Sequence, residues 1–193
     1  MNFMLDFSSS VWWYVSRATG VVALVLCFVA LLFGLLFASR STPRKPVPAW
    51  WLAMHKHVGS LFASFVAAHV VVVVADPLSK FGVVAALVPG VVSQLGMVVG
   101  VCAMWVCALV TFTSVGNVRK LLSRRVWHWL HVLSVPMVCL ALWHAIVVGT
   151  DTKLAVVSSG VAASCGVLMY PLVLRLLMPK RSSRVRRVVA KVL

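Results

Sequence analysis

Two apolar stretches, HKHVGSLFASFVAAHVVVVVA (residues 55–75) and HVLSVPMVCLALWHAIVV (residues 131–148), each carry two widely spaced histidines. His55 and His69 are fourteen positions apart, and His131 and His144 are thirteen apart. Each stretch is long and apolar enough to cross a membrane, where an ionisable side chain is costly and marks a functional site by default. These four histidines are therefore the first candidates for the chemistry of the chain.

The composition of the whole chain is that of a membrane protein. Of its 193 residues, 62% are hydrophobic and only three are Asp or Glu. Apolar stretches of about eighteen residues or more each predict a spanning helix. They cover about residues 11–37, 57–75, 91–113, 126–148 and 154–178. We expect an all-α integral membrane bundle of five, or at most six, transmembrane helices, forming a single domain over residues 1–193 with a basic cytoplasmic tail at 179–193.

The net charge of +15 indicates topology rather than nucleic-acid binding, because the basic residues fall in alternate connections. They are Arg40, Arg44, Lys45 and Lys56 between the first two spans, Arg119, Lys120, Arg124 and Arg125 between the third and fourth, and six more in the tail. Positively charged loops face the cytoplasm, so we expect the N-terminus outside and the C-terminus inside a multi-pass protein of the cell membrane. The natural partner of this charge is anionic lipid.

Two tryptophan pairs and one short apolar segment are predicted to lie at the membrane surfaces. Trp50 and Trp51 open the second span, and Trp127 and Trp129 open the fourth, where an aromatic belt at the inner face is expected. Residues 77–89 are too apolar for a plain loop and too short to span. We expect them to form an interfacial or re-entrant piece over the outer end of the bundle.

The histidine spacing predicts two sites at different depths. Fourteen residues of helix rise about 21 Å and return a side chain to within roughly 40° of the same direction. Since both histidine helices run the same way, His55 should match His131 near the inner face, and His69 should match His144 near the outer face. Two neutral imidazoles suit the two axial positions of haem iron and leave none open, which favours electron transfer over oxygen binding. The alternative is four core histidines hydrogen-bonded to neighbouring helices.

Three features of this interpretation stay open. Thirteen residues place His131 and His144 some 140° apart on an ideal helix, and Pro136 between them can kink it. His57 and His128 lie close to the basic inner edge, as interfacial side chains or haem-propionate partners, and His57 is a substitute candidate for His55. Arg17 either binds a haem propionate or extends to the outer headgroups.

With these residues in place, the chain resembles the ferric reductase-like transmembrane domain family. That family includes NADPH oxidases, ferric-chelate reductases and the haem-binding subunit of the periplasmic methionine sulfoxide reductase system. The similarity rests on the two histidine pairs, SRATG (residues 16–20), TSVGNVRKLLSRRVWHWLH (113–131) and HAIVVGTD (144–151). Where the oxidases carry a further histidine one turn beyond the outer ligand, this chain has Val73.

The resemblance implies that His55 and His131 hold an inner haem b, that His69 and His144 hold an outer one, and that Arg17 lies beside the outer haem. Two haems are expected, or one. The implied function is electron transfer from a separate cytoplasmic flavin reductase or a quinol to an extracytoplasmic acceptor, as the transmembrane component of an oxidoreductase. One alternative is the haem-binding subunit of a methionine sulfoxide reductase system. The other is a haem-free membrane binding or assembly protein.

Overall fold

The protein is all-α in the part of the chain that the structure describes. The computed structural model describes residues 2–39, 49–77, 81–150 and 154–177, and within these ranges it contains helices and no strand. The helices are α1 (Asn2–Ser39), α2 (Ala49–Ala75), α3 (Val83–Leu87), α4 (Leu95–Ser114), α5 (Gly116–Leu121), α6 (Arg124–Val132), α7 (Ser134–Val148) and α8 (Ala155–Leu177). The predicted basic tail and the basic residues Arg40, Arg44 and Lys45 lie outside the described residues.

Among the described residues, four segments are long and apolar enough to cross a membrane: Val11–Ala38, Trp50–Ala75, Leu95–Ser114 and Arg124–Val148. They correspond to the first four predicted spans. The fifth predicted span coincides with α8, but its apolar stretch among the described residues, Ser158–Tyr170, is shorter than a span. The fifth and sixth spans and the orientation of the termini therefore stay predictions.

Some helices begin at residues other than the starts of the predicted spans, because hydropathy and backbone hydrogen bonding change at different residues. Helix α2 begins at Ala49 rather than at residue 57, because the polar residues 55–57 do not interrupt the helical backbone. Helix α4 begins at Leu95 rather than at residue 91, after a turn in which Gly90 adopts a positive φ of 91°. Glycine takes that left-handed conformation at no steric cost, so the apolar residues just after it remain outside the helix.

The predicted helix at 126–148 is broken between its two histidines. Helix α6 ends at Val132 and α7 begins at Ser134. The N–H of Leu133 donates a hydrogen bond to the carbonyl of Leu130 at 3.2 Å, which forms a tighter turn than that of an α-helix. Pro136 has no N–H to give to the carbonyl of Val132, which accounts for the break at this point. The angle of a straight helix therefore does not apply between His131 and His144.

The helices pack in two principal pairs, α1 with α2 and α4 with α7, and α8 lies against α1. Apolar side chains of different sizes fill the centre where these helices meet. They are Ala23, Cys27, Phe28, Phe62, Cys107, Met137 and Val138. Many large apolar side chains point outward instead, among them Val71 and Phe112, each 64% exposed. That arrangement suits helices whose outer faces contact lipid, where close packing of small residues holds neighbouring helices together.

The segment predicted to lie at the outer surface contains the short helix α3. The indole N–H of Trp105 on α4 donates to the carbonyl of Leu87 at 2.7 Å, which ties the end of α3 to the bundle. Ala86 is buried, whereas Val83 and Val84 are 58% and 64% exposed. The position of α3 relative to a membrane surface stays a prediction.

Candidate functional site

The four paired histidines meet as the spacing predicts. The ring centroids of His55 and His131 are 5.8 Å apart, and those of His69 and His144 are 6.5 Å apart. In both pairs the two ring planes are inclined by 75°. We call His55–His131 the inner pair and His69–His144 the outer pair, after the predicted orientation of the chain. Within the described residues, α2 is closely packed with neither α6 nor α7. The inner pair therefore bridges the space between α2 and α6, and the outer pair bridges the space between α2 and α7.

Three of the four rings are anchored by a backbone carbonyl on a neighbouring helix. The Nδ1 atoms form hydrogen bonds with backbone carbonyl oxygens: His55 with Ala30 at 2.9 Å, His69 with Ser16 at 2.7 Å, and His144 with Gly96 at 2.8 Å. Because a carbonyl oxygen only accepts, Nδ1 of each ring must carry the proton. The neutral ring then keeps a lone pair on Nε2. Metal-ligating histidines commonly have this arrangement, in which the bond at one nitrogen sets the tautomer and the ring orientation.

A glycine one turn further along exposes each anchoring carbonyl. Four residues after Ser16, Ala30 and Gly96 come Gly20, Gly34 and Gly100. A helical side chain covers the turn on the N-terminal side of its own Cα, so a glycine at that position leaves the carbonyl open to an imidazole. A Cβ at Gly20 or Gly34 would lie 3.1 Å from the ring of His69 or His55, respectively. A Cβ at Gly100 would lie 2.5 Å from Nδ1 of His144.

The ring of His131 is held differently. Its Nδ1 lies 3.3 Å from the hydroxyl oxygen of Ser114, which occupies the position on α4 fourteen residues after Gly100. The indole of Trp127 stacks on the same ring at a centroid distance of 4.9 Å and an angle of 20°. Arg119 places its guanidinium 4.5 Å from the centre of that indole. His131 is thus fixed by one hydrogen bond and one aromatic face.

The other predicted site residues lie around these pairs. His57 and His128 have exposed side chains, whereas the four paired histidines are partly buried, so His55 and not His57 belongs to the inner pair. Arg17 follows Ser16, whose carbonyl anchors His69. Its guanidinium lies 4.3 Å from the ring centre of Trp13 and donates to the hydroxyl of Thr150, which joins α1 to the end of α7.

Sequence reasoning missed the anchoring carbonyls and three of the glycines. The motif SRATG includes Gly20, but the patterns described above include none of Gly34, Gly96 and Gly100. One signal was available: Gly20 and Gly34 are fourteen residues apart, as are His55 and His69. Equal spacing of glycines and histidines on neighbouring antiparallel helices predicts two contacts at matching depths.

The histidine pairs fit haem better than a bare metal ion. In the ranges that the structure describes, no group of three or more His, Cys, Asp or Glu side chains is placed to bind a metal. Haem supplies iron with four ring nitrogens, so two imidazoles complete its ligand set. Two imidazoles on opposite sides of one metal, with bonds of about 2 Å, have ring centroids about 6 to 6.5 Å apart. The outer pair, at 6.5 Å, lies within that range, and the inner pair, at 5.8 Å, lies slightly below it.

In a comparison with protein-family models, residues 19–142 match the ferric reductase like transmembrane component. The match covers nearly two thirds of the chain and includes the inner pair and His69. The chain belongs to this family. Among curated proteins no match was found. Membership of the ferric reductase like family identifies a membrane protein and suggests a role in electron transfer across the membrane.

Proposed function

We propose that this ferric reductase like chain is a b-type haem protein that carries electrons across the cell membrane. Its donor is a separate cytoplasmic flavin reductase or a quinol, and its acceptor is extracytoplasmic. The observation that supports this proposal best is the presence of two histidine pairs, at different depths, with ring separations suited to one iron each. Haem bound at these positions would supply an iron that takes up and releases one electron at a time.

The residues of the chain would contribute to electron transfer in three ways. The paired histidines would ligate the haem iron, and ligation by two imidazoles would favour electron transfer over oxygen binding. The carbonyls of Ser16, Ala30 and Gly96 fix the tautomer and the orientation of the imidazoles, so that each Nε2 is available to iron. Helix α2 sets the separation of the two sites, since His55 and His69 differ by about 21 Å of helical rise.

The first test is a spectrum of the detergent-purified protein, recorded as dithionite-reduced minus oxidised, with haem counted as the pyridine haemochromogen. We expect a b-type α-band and two haems per chain. One haem per chain would contradict the two-site proposal and favour a single-haem subunit. A folded protein that stays colourless after loading with haem would overturn the proposal in favour of a haem-free membrane protein.

A second test addresses transfer across the membrane. The haem-loaded chain is reconstituted in vesicles that contain ferricyanide, and dithionite is added outside. We expect rapid reduction of the trapped ferricyanide, and only the slow leak rate in vesicles that lack protein. A variant without the outer pair, His69→Ala with His144→Ala, is the matched control and should give the leak rate. Equal rates for the wild type and this variant would exclude a path through both sites.

A further inference from the structure

Two tryptophans at the inner end of the bundle have buried indole N–H groups without an acceptor. Nε1 of Trp51 and Nε1 of Trp127 are buried, and neither has a hydrogen-bond partner among the described residues. Their neighbours Trp50 and Trp129 are 56% and 68% exposed. The four tryptophans predicted to form one interfacial belt therefore divide into an outward-facing and an inward-facing pair. A buried donor is costly unless it meets an acceptor.

Both buried indoles occupy the same position relative to the inner pair. Trp51 precedes His55 by four residues on α2, and Trp127 precedes His131 by four residues on α6. Side chains four residues apart lie on one face of a helix, about 6 Å apart along its axis. The stacking of Trp127 on His131 shows this directly for α6. Each helix thus carries an indole N–H one turn from its inner histidine, on the side towards the predicted cytoplasmic face.

The surroundings of these indoles favour an anionic acceptor. Arg119 lies over the ring of Trp127, and Lys56, Arg124 and Arg125 are close in sequence to the two indoles. The chain itself has only three carboxylates, Asp6, Asp76 and Asp151, all in segments assigned to the opposite end by the predicted topology. No acidic side chain of the sequence is therefore predicted at the inner end, and a bound group with carboxylates or phosphates would supply an anionic acceptor there.

From this placement we propose that the indole N–H groups of Trp51 and Trp127 donate hydrogen bonds to the propionate carboxylates of the haem held by His55 and His131. The inference rests on the proposed function and adds two binding residues to it. Hydrogen bonds to a charged acceptor are shorter and stronger than neutral ones, and tryptophan offers one such donor at a fixed place on a rigid ring. A lipid phosphate has the same acceptor chemistry, and the experiment separates the two sources.

The experiment measures the release of haem to excess apomyoglobin from the full-length, haem-loaded protein. Trp51→Phe and Trp127→Phe keep an aromatic ring and remove only the N–H donor. We expect each replacement to accelerate the release of one of the two haems about tenfold, and both together to do so more strongly. The matched controls Trp50→Phe and Trp129→Phe, at the exposed neighbours, should release haem at the wild-type rate. Wild-type rates in Trp51→Phe and Trp127→Phe would overturn the inference.

Loading with the dimethyl ester of haem distinguishes hydrogen bonding from packing. The ester keeps the ring and the iron but has no carboxylates. With the ester, Trp127→Phe and the wild type should release the group at rates within about twofold, because no charged acceptor is left. An equally large effect of Trp127→Phe with haem and with the ester would mean that the indole acts by packing on His131, and would overturn the inference.

A measurement on the wild-type protein needs no variant. The ultraviolet resonance Raman band of indole reports whether its N–H is hydrogen-bonded, and we expect a shift for two tryptophans on loading with haem but not with the ester. The same shift on adding phosphatidylglycerol vesicles alone would assign the acceptor to lipid phosphate and overturn the inference. Failure of the wild type to take up haem would overturn the proposed function as well, whereas two bound haems with an unshifted indole band would overturn the inference alone.

Discussion

The double replacement His69→Ala with His144→Ala is expected to reduce haem from two per chain to one, while the protein stays folded. Alanine removes both imidazoles of the outer pair, whose rings are 6.5 Å apart, and leaves the inner pair in place. No described side chain offers a third ligand there. The change is measured as haem per chain and as the loss of one step in a redox titration.

The exposed histidines provide the matched control for this prediction. His57→Ala with His128→Ala removes the same number of imidazoles from the same helices, α2 and α6–α7, but from exposed positions. We expect this variant to keep two haems and both redox steps. Loss of a haem in the control, or two haems in the His69→Ala and His144→Ala variant, would show that the outer pair is not the ligand set.

Replacement of Gly100 by alanine is expected to weaken the outer site more than the same replacement at Gly20 or Gly59. The new Cβ would lie 2.5 Å from Nδ1 of His144, so the ring must leave the carbonyl of Gly96. Loss of such an anchoring bond to a metal-ligating histidine lowers affinity by about ten- to a hundredfold. A haem titration of the purified protein measures the effect.

Glycine-to-alanine replacements at other positions serve as controls, because the added methyl group makes progressively fewer close contacts there. A Cβ at Gly20 or Gly34 would lie 3.1 Å from an imidazole carbon, so a small shift of the ring accommodates it and we expect a milder loss. Gly59 lies in α2 with no atom within 4 Å of its Cβ position, and Gly59→Ala should leave haem binding unchanged. It should also stabilise the helix by about 0.5–1 kcal/mol. Equal haem affinities in Gly100→Ala and Gly59→Ala would show that the glycine does not make room for a ligand.

The pairing of the histidines was predictable because it depends on distance along a helix. Helical rise is constant, so separations of fourteen and thirteen residues on two parallel helices place one partner for each histidine at the same depth. His55 with His131 and His69 with His144 are the pairs that the structure contains. The direction of the rings was less predictable, because Pro136 and the break at Leu133 alter the turn between His131 and His144.

The contacts that orient the histidines were not predictable, because they depend on which helix lies beside which. The carbonyls of Ser16, Ala30 and Gly96 are ordinary helix carbonyls until α1 packs on α2 and α4 packs on α7. In the same way, Trp50 and Trp51 are neighbouring residues of the same type, and the sequence does not distinguish their environments. Only packing buries the N–H of one and exposes the ring of the other.

The amino-acid sequence by itself determined the membrane character of the chain, its helical class, its family and the four histidines that meet in pairs. Composition and spacing along one chain are enough for these properties, since a bilayer admits few backbone structures and a helix repeats regularly. Tertiary structure alone decided which nitrogen of each anchored imidazole carries the proton, which glycines make room for the rings, and which indoles turn inward. Those features arise between helices that are distant in sequence, where atoms of neighbouring side chains and carbonyls come within bonding distance.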